Sequence, residues 1–289
     1  MDALPLSAAV PQAASAEWAL VLDAAGIRYE ARAEPGGVSL WVAPEDHARA
    51  IVELTQYFHE RRAPARPREW PRHRHASWAV IGYALALLAV AIAALSDLGM
   101  HDWYGRGVVD PGFLARGEWW RAITALTLHT GTLHLASNLV FGAVFVYAAG
   151  QMLGAGLALL LILAGAGLAN TADALVHPAG HVMLGASTAV FTALGLVAAL
   201  AWRRRAQVWP SLRERVAPVV AGLALLAMTG TAGEQTDIVA HLFGFIAGLG
   251  LGAVAAGLPL PAPGRSRPQW VAAGAAVALL AAAWIAALS

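Results

Sequence analysis

The feature that most constrains this chain is a series of long stretches containing no Asp, Glu, Lys or Arg. They run from Ser77 to Leu95, Ala122 to Ala172, Ala174 to Trp202, Val216 to Gly233, Ile238 to Gly264 and Pro268 to Ser289. A bilayer-spanning helix needs about 20 largely apolar residues, so the second stretch holds two spans and each other stretch one. Only helices or closed barrels satisfy the backbone in hydrocarbon, and these Leu/Ala/Val/Gly runs lack the alternation of a barrel strand. The expectation is a helical membrane bundle with seven spans. They fall near Trp78–Leu95, Leu133–Ala149, Leu157–Leu175, Val182–Trp202, Val216–Thr229, Ile238–Ala256 and Trp270–Leu288. Only 13% of the 289 residues are charged, against roughly 25% in an average soluble domain, which points the same way.

The charges that remain are unevenly placed, and every basic residue is Arg. Arg61, Arg62, Arg66, Arg68, Arg72 and Arg74 precede the first span; Arg203, Arg204, Arg205, Arg213 and Arg215 follow the fourth; Arg265 and Arg267 precede the seventh. The loops on the opposite side carry only Arg106, Arg116 and Arg121. The positive-inside rule therefore puts the N-terminus in the cytoplasm and the C-terminus outside. Basic clusters next to spans read as orientation signals and anionic-lipid contacts, not as a nucleic-acid surface. Residues 1–20 lack a basic head followed by an apolar core, so no cleaved signal peptide is expected. The absence of cysteine rules out disulfides, thiolate metal sites and a Cys nucleophile.

Ahead of the spans, residues 15–60 have soluble patterning. The segment EWALVLDAAG reads as a helix ending at Gly26, IRYEARAE and VSLWVAP as strands around Pro35-Gly36-Gly37, and PEDHARAIVELTQYF as a second helix with Pro44 in its first turn. The expected arrangement is a small α-β-β-α domain. Residues 61–76, rich in Arg and Pro, read as a linker.

Polar side chains are costly in hydrocarbon, so the few inside the spans are functional candidates. The second span opens with His129-Thr-Gly-Thr-Leu-His134-Leu-Ala-Ser-Asn138, the fourth with His181-Val-Met-Leu-Gly185-Ala186-Ser187-Thr188, and the sixth with Asp237-Ile-Val-Ala-His241. All three spans start from the extracytoplasmic side, so at about 1.5 Å rise per residue Asn138, Ser187 and His241 share one depth near the outer face. Ser187 needs a base to become a nucleophile, and His241 fits that role. Asn138 and His134, one turn apart on one helix face, are candidate oxyanion donors, and the small Gly185 lets a substrate backbone approach the serine. His241, Gly244 and Gly248 lie on one helix face, and with Gly252 they form overlapping Gly-x-x-x-Gly steps suited to close helix packing. Phe191, one turn below Ser187, offers a ring against which the imidazole can stack.

These residues resemble the motifs of rhomboid intramembrane serine proteases. Gly185-Ala-Ser187-Thr188 is similar to the family's Gly-x-Ser-Gly, Ala240-His241-Leu-Phe-Gly244 to its Ala-His-x-x-Gly, His134-Leu-Ala-Ser-Asn138 to its His-x-x-x-Asn, and Trp119-Trp120-Arg121 to its Trp-Arg loop motif. The resemblance covers residues 77–256, with Thr188 standing where the family usually has Gly. It implies a rhomboid-like six-helix core over 77–256 and a linker and seventh helix over 257–289, the bacterial "six plus one" type, with the small cytoplasmic α+β domain at 1–60. It implies catalysis by a Ser187–His241 dyad, oxyanion roles for His134 and Asn138, and supporting roles for His129, Phe191, Gly244, Trp120 and Arg121. His129 is implied to stabilise the loop.

The expected activity is hydrolysis of transmembrane protein substrates near the extracytoplasmic face of a bacterial inner membrane. The alternative is an inactive rhomboid-like protein that binds transmembrane clients without cutting them. A transporter would carry charged residues at mid-membrane, which these spans lack. Asp237 reads as a helix cap and not as the acid of a triad. His47, His59, His73, His75, His101, His177 and His181 are expected to face water or headgroups. His-Glu-x-x-His is absent, and neither a metal nor another cofactor is expected.

Overall fold

The computed structural model describes residues 3–62, 72–96, 98–206, 211–229, 237–259 and 266–289. The chain divides into two compact units, Met1–Arg68 and Glu69–Ser289. Most of the linker expected at 61–76 lies outside the described residues, as do Asp97 and Arg265.

The first unit contains β1 (Leu4–Pro5), α1 (Gln12–Ala24), β2 (Tyr29–Glu34), β3 (Gly37–Val42) and α2 (Pro44–Arg62). Its antiparallel sheet has the order β1-β3-β2. The turn expected at Pro35-Gly36-Gly37 is there, with Glu34 paired to Gly37 and Gly36 at φ +107°, a conformation natural only to glycine. Leu22, Ile27, Leu40, Val42, Ala50 and Leu54 form the core. Two features depart from the sequence expectation. The helix starts at Gln12, directly after Pro11, and not near Glu17. The strand β1 is an addition: two residues, one of them proline, are too short to display alternation.

The second unit contains α3 (Ser77–Leu95), α4 (Trp103–Gly107), α5 (Pro111–Ala115), α6 (Arg121–Thr124), α7 (Thr132–Leu153), α8 (Ala155–Val176), α9 (Ser187–Ala206), α10 (Leu212–Thr229), α11 (Ile238–Gly257) and α12 (Ser266–Leu288). Each of the seven predicted spans contains a helix. Among the described residues, α3, α7, α8, α11 and α12 are long and apolar enough to cross a membrane, and α9 is apolar over the shorter range Ser187–Arg203. The helix α10 spends its first turn on Leu-Arg-Glu-Arg.

The fourth run, expected to be helical from Val182, begins only at Ser187. Met183 instead exchanges both backbone hydrogen bonds with Val109, at 3.0 Å each, and the Gly185 N–H donates to the Ala125 carbonyl at 2.9 Å. Gly185 has φ +126°, outside helical geometry. The segment ahead of Ser187 is therefore tied to the connection between α3 and α7.

That connection is well structured. Asp102 and Asp110 cap α4 and α5 by accepting the N–H groups of Gly105 and Gly112. Arg121, 4% exposed, donates from Nε to Glu118 at 2.7 Å and from one terminal nitrogen to the carbonyls of Gly105 and Val108 at 2.9 Å, while its guanidinium covers Phe113. One buried cation thus ties two backbone carbonyls to the Glu118 carboxylate, and the Trp-Arg motif is structural in its contacts. The indole N–H of Trp120 is buried with no acceptor among the described residues. The helix α12 seals this layer from the side: Trp284 donates to the Thr127 hydroxyl at 3.1 Å and packs on Trp103.

The bundle centres on α9 and α11, which run parallel with their backbones in contact. A Cβ on Gly244 would sit 2.6 Å from the Thr188 carbonyl oxygen; one on Gly248 would collide with the Thr192 carbonyl, one on Gly195 with the Phe245 carbonyl, and one on Gly252 would lie 3.0 Å from the Leu196 carbonyl. Helices meet this closely in lipid because small residues let dispersion contacts form along the backbone. On the other flank, the Tyr83 ring of α3 fills the space beside Gly142 of α7, and its hydroxyl donates to the Asn138 carbonyl at 2.9 Å.

Gly248→Leu is expected to destabilise the detergent-solubilised protein by about 2 kcal/mol or more, the scale of a forced overpacking, because it drives α9 and α11 apart. Gly250→Ala, where an added Cβ meets nothing within 4 Å, is the matched control and should leave the thermal midpoint nearly unchanged.

Candidate active site

Ser187 is the first residue of α9, and Asp237 caps α11 so that His241 stands in its first turn. Because the two helices are parallel, both side chains lie at the same end of the bundle. The His241 backbone N–H donates to the Asp237 carbonyl at 3.2 Å, which fixes where the imidazole leaves the helix. The ring, 6% exposed, packs on Phe191 at 4.5 Å between centroids and 37° between planes. Phe191 lies one turn after Ser187 in the same helix, so the imidazole is held against the first turn of α9.

Asn138 and His134 reach the same end from the first two turns of α7. Asn138 is 5% exposed, and its side-chain nitrogen is buried with no acceptor among the described residues. A buried amide with an unused donor is costly, and such orphans mark places where a further acceptor binds. His134 Nδ1 lies 3.1 Å from the Thr130 hydroxyl. A hydroxyl donating there leaves the ring hydrogen on Nε2. That nitrogen lies against Gly185: a Cβ on Gly185 would be 2.8 Å from His134 Nε2 and 3.7 Å from Ser187 Oγ. Glycine is thus required at 185 both by its positive φ and by the imidazole and hydroxyl that converge on the empty side of its Cα.

His129 makes a different contact. Its ring is perpendicular to that of His134, with centroids 5.0 Å apart, and its Nε2 accepts the Ala186 N–H at 3.4 Å. It thereby contacts the backbone directly ahead of Ser187. Burial, and next the neighbouring His134, push its pKa down to about 4, so the ring is a neutral acceptor at pH 7.

Thr188 is 4% exposed, and its methyl group faces the gap left by Gly244. A side chain at 188 is therefore accommodated between α9 and α11, outside the loop that precedes Ser187. Three contributors to this region carried no sequence signal, since each acts through the backbone or a single hydroxyl: the Ala125 carbonyl, Thr130 and Tyr83.

A second cluster stands at the same end. Asp173, His177, His181 and Asp237 each present a ligand-type atom within 4.8 Å of the others. His177 and His181 do not simply face water, as their positions in sequence suggested: their rings stack at 4.0 Å and 9°. The helix α8 ends at Val176, and Pro178 and Gly180 lie in the non-helical segment between the two histidines, which hides their four-residue spacing from a helical reading. Burial alone would raise the Asp237 carboxyl pKa, but the Ala240 N–H and His181 outweigh it and hold it below its ordinary value.

This geometry defines a multi-pass helical membrane protein with a serine, histidines and an unpaired asparagine donor gathered at one end of its bundle. The family model described as "Rhomboid domain" matches residues 116–257, and the chain belongs to the rhomboid family. It is 32% identical over 136 residues to "Putative rhomboid protease YdcA" of Bacillus subtilis (strain 168), covering 47% of this chain and 66% of that protein. It is 31% identical over 153 residues to "Rhomboid protease GluP" of the same organism, covering 53% of this chain and 29% of that one. "Rhomboid-like protease 2" of Toxoplasma gondii matches at 29% over 163 residues, 55% of this chain and 54% of that protein. The matched regions thus span 66%, 29% and 54% of these relatives' own lengths.

The depressed His129 pKa carries a signed stability prediction. Between pH 6.5 and about 4 the unfolded chain binds a proton here and the folded protein does not. Stability is therefore complete above pH 6.5 and is lost as pH falls through that window, by on the order of 3 kcal/mol. Thermal midpoints measured from pH 7 to pH 4.5 should fall for the parent, and fall less for His129→Asn.

Proposed function

We propose that this protein is an intramembrane serine endopeptidase that cleaves transmembrane protein substrates at the end of the bundle where α7, α9 and α11 begin. The observation that carries this reading is the convergence on one depth of Ser187, the His241 ring packed on Phe191, and the buried amide donor of Asn138, which has no acceptor among the described residues. The names of the rhomboid relatives support the same chemistry.

His241 takes the Ser187 hydroxyl proton as Oγ attacks the scissile carbonyl carbon. The oxygen of the tetrahedral intermediate receives hydrogen bonds from Asn138 Nδ2 and His134 Nε2, donors already in place before charge develops. The imidazolium then returns its proton to the leaving amine, and water, activated by the same imidazole, hydrolyses the acyl-serine. Gly185 gives the substrate backbone room beside Oγ. His129 and Arg121 act at one remove, by holding the segment before Ser187 and the connection against which it is tied.

The skewed arginine distribution supports an inner-membrane location with a cytoplasmic N-terminus, and hence a site facing the extracytoplasmic side. A single-pass substrate would present its outer end there, where small or helix-breaking residues unwind most easily.

Ser187→Ala and His241→Ala should each abolish cleavage of a single-pass substrate in proteoliposomes while leaving the thermal midpoint of the bundle intact; cleavage at the parent rate by either variant contradicts the dyad. Asn138→Ala should lower kcat about 100-fold with a much smaller change in KM, as expected for a donor used only in the transition state.

A further inference from the structure

Four side chains that the proteolytic reading leaves unused meet beside the start of α11. Asp173 lies in the last turn of α8, His177 and His181 flank the turn through Pro178 and Gly180, and Asp237 caps α11. Asp173 is 0% exposed, yet neither of its carboxylate oxygens has a hydrogen-bond partner among the described residues. A buried carboxylate without donors is expensive unless a positive charge compensates it. The nearest candidate is His177, whose Nδ1 is 3.3 Å from Asp173 Oδ2 and 3.1 Å from the Asp173 carbonyl. The second pair is His181 Nε2 with Asp237 Oδ2, at 2.8 Å.

The two rings stack face to face 4.0 Å apart, and each has a nitrogen beside one of the two carboxylates. A divalent cation compensates two carboxylates at once and is bound by imidazole nitrogens. We propose that Asp173, His177, His181 and Asp237 form a binding site for a divalent transition-metal ion of the zinc class.

Two imidazole nitrogens and two carboxylate oxygens are a borderline donor set suited to Zn²⁺ and poorly matched to Mg²⁺ or Ca²⁺, which prefer oxygen throughout. Tetrahedral ligands about 2.0–2.1 Å from zinc stand about 3.4 Å apart. The four ligand atoms now lie within 4.8 Å of one another, and a bound ion would draw them to that spacing. Asp237 is already oriented for the task, because its Oδ1 accepts the Ala240 N–H at 3.0 Å and leaves Oδ2 turned toward His181.

Four protein ligands make a closed, structural site. The ion would lock the end of α8 and the His177–His181 loop to the cap of α11, one turn from His241 and a few residues ahead of Ser187. Its role toward those residues is positioning, and its existence does not depend on their being catalytic.

The test uses tag-free, full-length protein in detergent, stripped with EDTA and dialysed, then titrated separately with ZnCl₂ and CoCl₂. Elemental analysis should give one zinc per chain, Co²⁺ should develop the intense visible bands of tetrahedral coordination, and Zn²⁺ should raise the thermal midpoint. Asp173→Asn alters a fully buried position, so the decisive variants are His181→Gln and Asp237→Asn, both at partly exposed sites. Each should unfold cooperatively and bind zinc at least about tenfold more weakly, while His47→Gln in the first unit binds like the parent. Sub-stoichiometric zinc with an unchanged midpoint in the parent, or parent-like binding in both decisive variants, overturns the site. None of these readouts involves proteolysis, so this proposal and the catalytic one fail separately.

Discussion

The direct backbone contact between α9 and α11 is the constraint on which the rest of this bundle depends. Gly195 on one helix and Gly244, Gly248 and Gly252 on the other remove the side chains that would hold two helices apart. The glycines of α11 fall four residues apart, and they face carbonyls of α9 that are also four apart, so the two helices stay in register over three turns. A slip by one residue would bring a Cβ against a carbonyl at every turn. The register therefore fixes His241 relative to the first turn of α9, and with it the stacking on Phe191. Bilayers give helices little hydrophobic reason to associate, which is why the site rests on close packing instead of on a greasy core.

The second determinant is how the chain approaches Ser187. The segment before it is held in non-helical form by backbone bonds to Val109 and Ala125 and by the neutral His129 ring on Ala186. Arg121, packed against Phe113 and bonded to the Gly105 and Val108 carbonyls and to Glu118, stabilises the platform that offers those partners. The helix α9 can then begin at Ser187 itself, with the hydroxyl at an open helix start. Among the described residues the Asn138 amide nitrogen is buried without an acceptor, as are the Trp120 indole nitrogen and His129 Nδ1 nearby.

Much of this was legible in the sequence because lipid imposes a simple code. Six uncharged stretches, one of them long enough for two spans, correspond to seven helices, and the rare polar residues Asn138, Ser187 and His241 are the candidates that shared depth singled out. The glycine spacing on α11 forecast close packing correctly, and Phe191 was placed against the imidazole. What escaped was whatever depends on non-local backbone pairing. Val182–Ala186 looked like helix by hydropathy, and only the bridge from Met183 to Val109 shows otherwise. The connection 98–128 held aspartates and an arginine whose cap and carbonyl contacts have no periodic signature. The Asp173/His177/His181/Asp237 cluster was invisible for another reason: Asp237 is distant in sequence, and Pro178 and Gly180 separate His181 from the Asp173–His177 pair. In the first unit, the two-residue β1 gains its hydrogen bonds from β3 and has no pattern of its own.

The central claim is that Ser187 is a nucleophile activated by His241. The most direct measurement is reaction of the folded, detergent-solubilised protein with a fluorophosphonate, followed by peptide mass spectrometry to locate the adduct. The account predicts a single adduct on Ser187 that disappears in His241→Ala. An adduct on a different serine, undiminished labelling without His241, or no adduct on a folded parent would contradict it.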